Sequence, residues 1–218
     1  MELERLKSDF LARVSHELRT PLTIVSGFLN TLISNEDRLE PRQRLSMLGR
    51  IEAATERLAV LVDELLTVTQ FEAGALDPKP RDVDLAEVLS LVRERALEPE
   101  LVSVRCPPDL HLRVDPRLLS HALSLLVDNA LKYAGDAELR AGVSDDGHTY
   151  IEVRDHGPGI PPEMGERVFE RFMRGDHTEP GMGLGLSLVR TLSIGLGADC
   201  HLVDAPGGGA IFRLTFEA

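Results

Sequence analysis

The sequence predicts an α + α/β sandwich. An N-terminal helical hairpin pairs with a second copy as a dimeric four-helix bundle, and an α+β domain follows, with a mixed sheet covered by helices on one face. Three observations lead there. Apolar residues step by three and four through residues 1–73, where the only prolines are Pro21 and Pro41. Gly74-Ala75-Leu76-Asp77-Pro78-Lys79-Pro80 then interrupts the pattern. Beyond it, short strand-like and helix-like stretches alternate between Asp, Gly and Pro.

The elements follow in order. Leu3, Leu6, Phe10, Val14, Leu18, Leu22, Val25, Leu29 and Leu32 form one stripe on a long helix. Asn35-Glu36-Asp37 breaks it, and Leu45, Leu48, Ile51, Leu58, Val62 and Leu65 resume it up to Phe71. Two such helices of about 30 residues leave much apolar stripe uncovered, which a second chain would bury as a homodimer. Residues 74–80 are the expected linker, and 81–218 the second domain. Asp84 caps a helix to about Glu98; Leu101–Arg105 and Leu110–Val114 are strands. Asp115-Pro116 opens a helix through Tyr133, with Asp at the cap and Pro at the first helical position. Ala137–Val143 and Thr149–Arg154 form a hairpin turned at Asp145-Asp146-Gly147. A helix starts near Met182, and Asp199–Asp204 and Ala210–Phe216 close the sheet.

Composition narrows the function. Across 218 residues, 24 Lys+Arg against 36 Asp+Glu give a net charge of −12, which disfavours nucleic acid, whose nonspecific binding needs phosphate neutralisation. No apolar run nears the roughly 20 residues of a membrane-spanning helix, so no membrane contact is expected of this segment, and Met1-Glu2-Leu3-Glu4 does not look like a signal peptide. Cys106 and Cys200 lie far apart and make no C-x-x-C, which suits a reducing compartment.

Four motifs carry chemistry. In Ser15-His16-Glu17-Leu18-Arg19-Thr20-Pro21, His16 lies about 200° round the helix from Val14 and faces solvent. An imidazole with an ordinary pKa near 6.5 is a largely neutral nucleophile at pH 7, and Glu17 beside it can accept a ring proton. In Asp128-Asn129-Ala130-Leu131-Lys132-Tyr133, Asn129 and Lys132 share a helix face; an amide oxygen suits Mg²⁺ and a lysine suits phosphate. Asp155-His156-Gly157-Pro158-Gly159-Ile160 follows a strand. Its carboxylate can accept from an exocyclic amine such as adenine's, and its glycines let backbone approach a flat ligand. Gly181-Met182-Gly183-Leu184-Gly185-Leu186 opens a helix whose free N–H groups can hold phosphates; it is neither a G-x-G-x-x-G fingerprint nor a P-loop. Singly, each also fits an ordinary helix face or Gly-Pro turn; their order along one chain sets them apart.

Together these stretches resemble the catalytic core of two-component sensor histidine kinases. Residues 15–21 look like the H box, 129–133 the N box, 155–160 the G1 box, Val168-Phe169-Glu170-Arg171-Phe172 the F box and 181–186 the G2 box. Gly207-Gly208-Gly209 matches the loop before the last strand. The resemblance implies a dimerisation and histidine phosphotransfer domain followed by a GHKL-type ATP-binding domain. It implies that His16 is phosphorylated from ATP with Glu17 as general base, and that the phosphate passes to an aspartate of a response-regulator receiver domain. Thr20 matches the position that orients water for dephosphorylating that partner. Asn129 would hold Mg²⁺, Lys132 would meet phosphate, and Asp155 would read the adenine amine. Tyr133, Gly157, Gly159, Ile160 and Phe172 would line the nucleotide site, with Gly181, Gly183, Leu184, Gly185 and Leu186 beside the phosphates. A hinge at residues 74–80, an upstream sensor domain and a cytoplasmic location, free or as part of a membrane-anchored kinase, are also implied. Three departures stand out: Leu125 where the N box commonly has a second Asn, His156 after Asp155, and a short ATP lid at 173–180; Arg171 before it or Arg174 within it is the candidate γ-phosphate contact. Leu125 and the short lid support the alternative of a dimeric ATP-binding scaffold with little turnover.

Overall fold

The computed structural model describes residues 2–35, 39–170 and 183–217. Two long helices come first, α1 (Glu2–Ser34) and α2 (Pro41–Glu72). α1 runs through Pro21 as one helix, although proline has no N–H for the carbonyl of Glu17 four residues back. One residue earlier the Thr20 hydroxyl donates to the His16 carbonyl at 3.3 Å. α2 closes with a paired cap. Ala75 N–H donates to the Gln70 carbonyl at 2.8 Å and Gly74 N–H to that of Phe71 at 2.9 Å. Gly74 sits at φ +64°, the left-handed conformation that this cap requires and that glycine adopts without penalty. Among the described residues, the chain divides into two compact units, one ending at Thr69 and the other starting at Gln70. No helix among them is long and apolar enough to cross a membrane.

The second unit contains β1 (Arg81–Asp84), α3 (Leu85–Arg95), β2 (Val102–Arg105), β3 (His111–Val114), α4 (Pro116–Ala134), β4 (Ala137–Val143), β5 (Thr149–Arg154), α5 (Gly185–Leu196), β6 (Ala198–Val203) and β7 (Ile211–Phe216), with 3₁₀ turns at Pro99–Leu101 and Gly165–Phe169. Its five-stranded sheet has the order β2-β4-β5-β7-β6. β2 is parallel to β4, and every other pair is antiparallel. Strand alternation sorts the two faces. Leu139, Ala141, Ile151, Val153, Phe212 and Leu214 are buried with Leu89, Leu119, Leu123 and Leu126 of α3 and α4, and each such leucine contributes roughly 1.5–3 kcal/mol. The alternate positions carry Glu138, Arg140, Glu152, Arg154 and Arg213. There Arg140 Nη2 meets Glu138 at 2.7 Å and Arg213 Nε meets Glu152 at 2.8 Å. The helices thus cover one face and paired charges the other.

Three boundaries differ from the sequence reading. The strand at Leu110–Val114 leaves the main sheet, and its ordered part, β3, pairs antiparallel with β1, which no pattern announced. The helix expected to reach Glu98 ends at Arg95, with Ala96 extended; Pro99 restricts the residue before it to non-helical backbone. The helix expected from Met182 begins at Gly185.

Both aspartate caps form. Asp84 accepts from Ala86 N–H, and Asp115 from Arg117 N–H. Asp115 is buried and also accepts from Lys79 N–H at 2.8 Å and the Arg117 guanidinium at 2.8 Å. Burial alone would raise its pKa; hydrogen bonds from the Arg117 side chain and the two amides, with the guanidinium charge, outweigh this and hold the carboxyl at about 2. The native pKa lies below the unfolded value of about 4, so the stabilisation is present above pH ~4 and disappears as pH falls through the native pKa. In urea melts, Asp115→Asn is expected to be less stable than the parent by a constant margin from neutral pH down to about pH 4, with the margin narrowing below that.

Candidate functional site

His16 is exposed on α1, half a turn round from buried Val14. Thr20 is exposed one turn later. Glu17 is half-buried, and its Oε2 lies 3.6 Å from Arg57 Nη2 on α2; adjacent helical residues point about 100° apart, so its carboxylate turns to the neighbouring helix. These three residues belong to the helical unit.

In the second unit the site builds around Asp155, at the end of β5. Asp155 is buried, its N–H donates to the Ala210 carbonyl at 3.0 Å, and its Oδ1 accepts from Gly157 N–H at 2.9 Å and Ala210 N–H at 3.1 Å. Among the described contacts only Oδ1 is engaged, which leaves Oδ2 to accept from a ligand. The backbone around it is crowded. A Cβ on Gly157 would lie 2.8 Å from Ala134 Cβ, and one on Gly159 would lie 2.9 Å from the Gly209 carbonyl oxygen. These glycines bring main chain closer than any side chain allows. Ile160 packs part-buried against the core.

The C-terminal half of α4 carries the polar partners. Asn129 is half-buried; Lys132 and Tyr133 are exposed, with Lys132 Nζ 4.9 Å from the Tyr133 ring centre. Leu125, one turn earlier, packs part-buried against the core, so its place in the motif serves packing. α4 and α5 lie side by side. At the start of α5, Gly183 is left-handed at φ +66° and no side chain among the described residues caps the helix, which leaves its first N–H groups facing outward as helix-end donors that an anion can meet. Leu184 is buried, and Leu186 packs part-buried on the core, so both would meet a ligand through backbone. Among the described residues no three His, Cys, Asp or Glu gather as a metal cluster. Phe172, Gly181, Arg171, Arg174 and the lid at 173–180 lie outside the described residues.

Three contributors were absent from the sequence reading of the site. Gly209 and Ala210 supply the backbone behind Asp155, and Asp136 binds the following residue, His156, through both the main-chain N–H and the ring. The triple glycine was the one signal for the first pair, and nothing local marked Asp136.

Comparison with known proteins places this arrangement. The family model described as "His Kinase A (phospho-acceptor) domain" matches residues 6–74, and that described as "Histidine kinase-, DNA gyrase B-, and HSP90-like ATPase" matches residues 114–218. The chain is 33% identical over 228 residues to the signal transduction histidine-protein kinase AfsQ2 of Streptomyces coelicolor, covering 97% of this chain and 42% of that protein. It is 34% identical over 232 residues to the phosphate regulon sensor protein PhoR of Pseudomonas aeruginosa, covering 99% of this chain and 51% of that one. The chain therefore spans about half the length of these curated relatives. Among solved structures, full-length ShkA in complex with AMPPNP superposes with a TM-score of 0.68 at 28% identity, over 94% of this chain and 45% of that one. The Acinetobacter baumannii histidine kinase AdeS gives a TM-score of 0.68 at 25% identity, over 93% and 97%. With both domain models in order along one chain and the fold shared, this chain belongs to the two-component sensor histidine kinase family, as its catalytic core.

Proposed function

We propose that the chain phosphorylates His16 from ATP and passes the phosphoryl group to an aspartate on a response-regulator receiver domain. The observation that carries this reading is a pairing of features in one chain: an exposed imidazole on a helical hairpin, and a buried carboxylate with one oxygen engaged by backbone and no contact to the other among the described residues. A neutral ring nitrogen of His16 attacks the γ-phosphorus. The bond to the β–γ bridging oxygen breaks, ADP departs, and Glu17 takes the ring proton, its carboxylate held beside Arg57. Asp155 Oδ2 accepts from the adenine amine. The α5 amides and Lys132 offset phosphate charge, and Tyr133, Gly157, Gly159 and Ile160 line the purine. Asn129 would hold Mg²⁺ through its amide oxygen, and the ion would supply further charge neutralisation there. Thr20 serves the reverse reaction on the partner by orienting water.

The hairpin also supports a homodimer. Leu22, Leu29, Ile33, Leu45, Leu48 and Leu66 are all exposed on it, more apolar surface than a lone helix pair can leave in water at no cost. That the chain covers 42% and 51% of two curated relatives supports a longer protein; an upstream sensor domain and a cytoplasmic core are what membership in the family implies.

The test is incubation with γ-labelled ATP and Mg²⁺. Acid-labile, alkali-stable label on the chain supports the kinase reading. Tight nucleotide binding without label would replace it with an ATP-binding scaffold. Asp155→Asn is expected to weaken ATP by about 1–3 kcal/mol, the range for a charged hydrogen bond, or roughly 5- to 150-fold in Kd. A titration that finds unchanged affinity would remove Asp155 from the base site.

A further inference from the structure

The residue after Asp155 is held unusually well. Asp136 sits between the C-cap of α4, Gly135, and the start of β4. One of its carboxylate oxygens, Oδ1, accepts from the main-chain N–H of His156 at 3.2 Å. The other, Oδ2, lies 2.5 Å from His156 Nδ1. A single carboxylate therefore fixes both the backbone and the ring of His156. The neighbouring residues press on the same place: a Cβ on Gly157 would meet Ala134, in the last turn of α4, at 2.8 Å. That turn also carries Lys132 and Tyr133. On the other side of Asp155, Arg154 Nη2 donates to the Pro206 carbonyl at 2.7 Å, tying down the glycine loop whose neighbour, Ala210, donates to Asp155 Oδ1.

We propose that Asp136 and His156 form a positioning pair that sets where the open oxygen of Asp155 stands relative to the end of α4, and so determines how strictly the site selects adenine. The inference rests on the proposed role of Asp155 as reader of the adenine amine. Its physical basis is geometric. Main-chain atoms within one residue of Asp155 are fastened to the helix end that carries the phosphate-facing side chains, so base and phosphate contacts share one frame. The strictness of a hydrogen-bonding site depends on such fixing, because an acceptor that can drift accommodates a ligand with no donor to offer. The Asp136 carboxylate requires a donor at Nδ1, which sets the ring's orientation and tautomer in the neutral form.

The test compares ATP with inosine triphosphate, which carries oxygen where adenine carries its amine, by equilibrium binding to the whole chain. The parent is expected to bind ATP at least 10-fold more tightly. Asp136→Ala and His156→Ala are expected to narrow that ratio to 3-fold or less, mainly by weakening ATP. His156→Asn, whose amide can still donate to Asp136, is expected to recover most of the selectivity. Thermal melts of each variant separate selectivity from folding, and His156→Ala, at a half-exposed position, keeps the comparison alive if Asp136→Ala does not fold. A parent that binds both nucleotides equally would overturn base reading by Asp155 and this inference with it. A selective parent whose folded variants keep the full ratio would overturn the positioning pair alone.

Discussion

His16→Gln is expected to carry no acid-labile phosphate under conditions where the parent is labelled to a readily measured extent, with the signal down at least about 1,000-fold. The loss is complete because glutamine has no nucleophilic nitrogen: its amide lone pair is delocalised, and no base nearby can change that. Folding is expected to survive. His16 is exposed, surface changes usually stay within about 0.5 kcal/mol, and glutamine is a good helix former. Nucleotide binding is expected to match the parent, since the proposed ATP-contacting residues all belong to the other unit. Label that persists would move the nucleophile to one of the other six histidines, of the seven in the chain. Loss of ATP affinity together with label would contradict the separation of phosphoacceptor from nucleotide site.

The second large effect is expected at Gly209→Ala. Gly209 has φ +84°, and an added Cβ would stand 2.0 Å from the Asp155 carbonyl oxygen, 2.7 Å from its carbon and 3.0 Å from His156 Cα. Both neighbours are backbone, so no side-chain rotation relieves the contact. The left-handed conformation costs about 1–2 kcal/mol for a non-glycine residue, and forced repacking adds about 1–3 kcal/mol. A loss of about 2–5 kcal/mol is expected in urea melts, with ATP affinity down by more than about 10-fold as Asp155 is pushed from its seat. Gly208→Ala is the control. Its φ is +95°, but nothing lies within 4 Å of its Cβ position, so only the conformational cost of about 1–2 kcal/mol remains. Equal effects of the two substitutions would reject the close approach of Gly209 to Asp155.

What could be seen in the sequence was what local physics decides. The two long helices follow from spacing, the caps at Asp84 and Asp115 from side chains that reach their own next turn, and the β4–β5 hairpin from alternation about a Gly turn. β1 was invisible because Arg81-Asp82-Val83-Asp84 offers one apolar residue and is held by pairing with β3 across the intervening helix. The site split along the same line. His16, Asn129, Lys132 and Asp155 stood out by type and position, whereas Asp136, 20 residues from His156, and Ala210, 55 residues from Asp155, act only through tertiary proximity. Arg57, which sits 3.6 Å from Glu17 across the hairpin, was likewise beyond any local pattern.

Residues 74–80, expected as a linker, lie within the second unit. They look like a loose leash of seven residues in the sequence, yet Gly74 and Ala75 are spent closing the end of α2. Leu76 fits into the space that Gly195 leaves open, and Lys79 is fastened to Asp115. At about 3.5 Å per residue, a freely extended seven-residue tether could pay out roughly 25 Å, and almost none of that slack is available here. From Gly74 to Lys79 the backbone is therefore seated on its own surroundings, and the path it takes into β1 is set by packing and not by chain length.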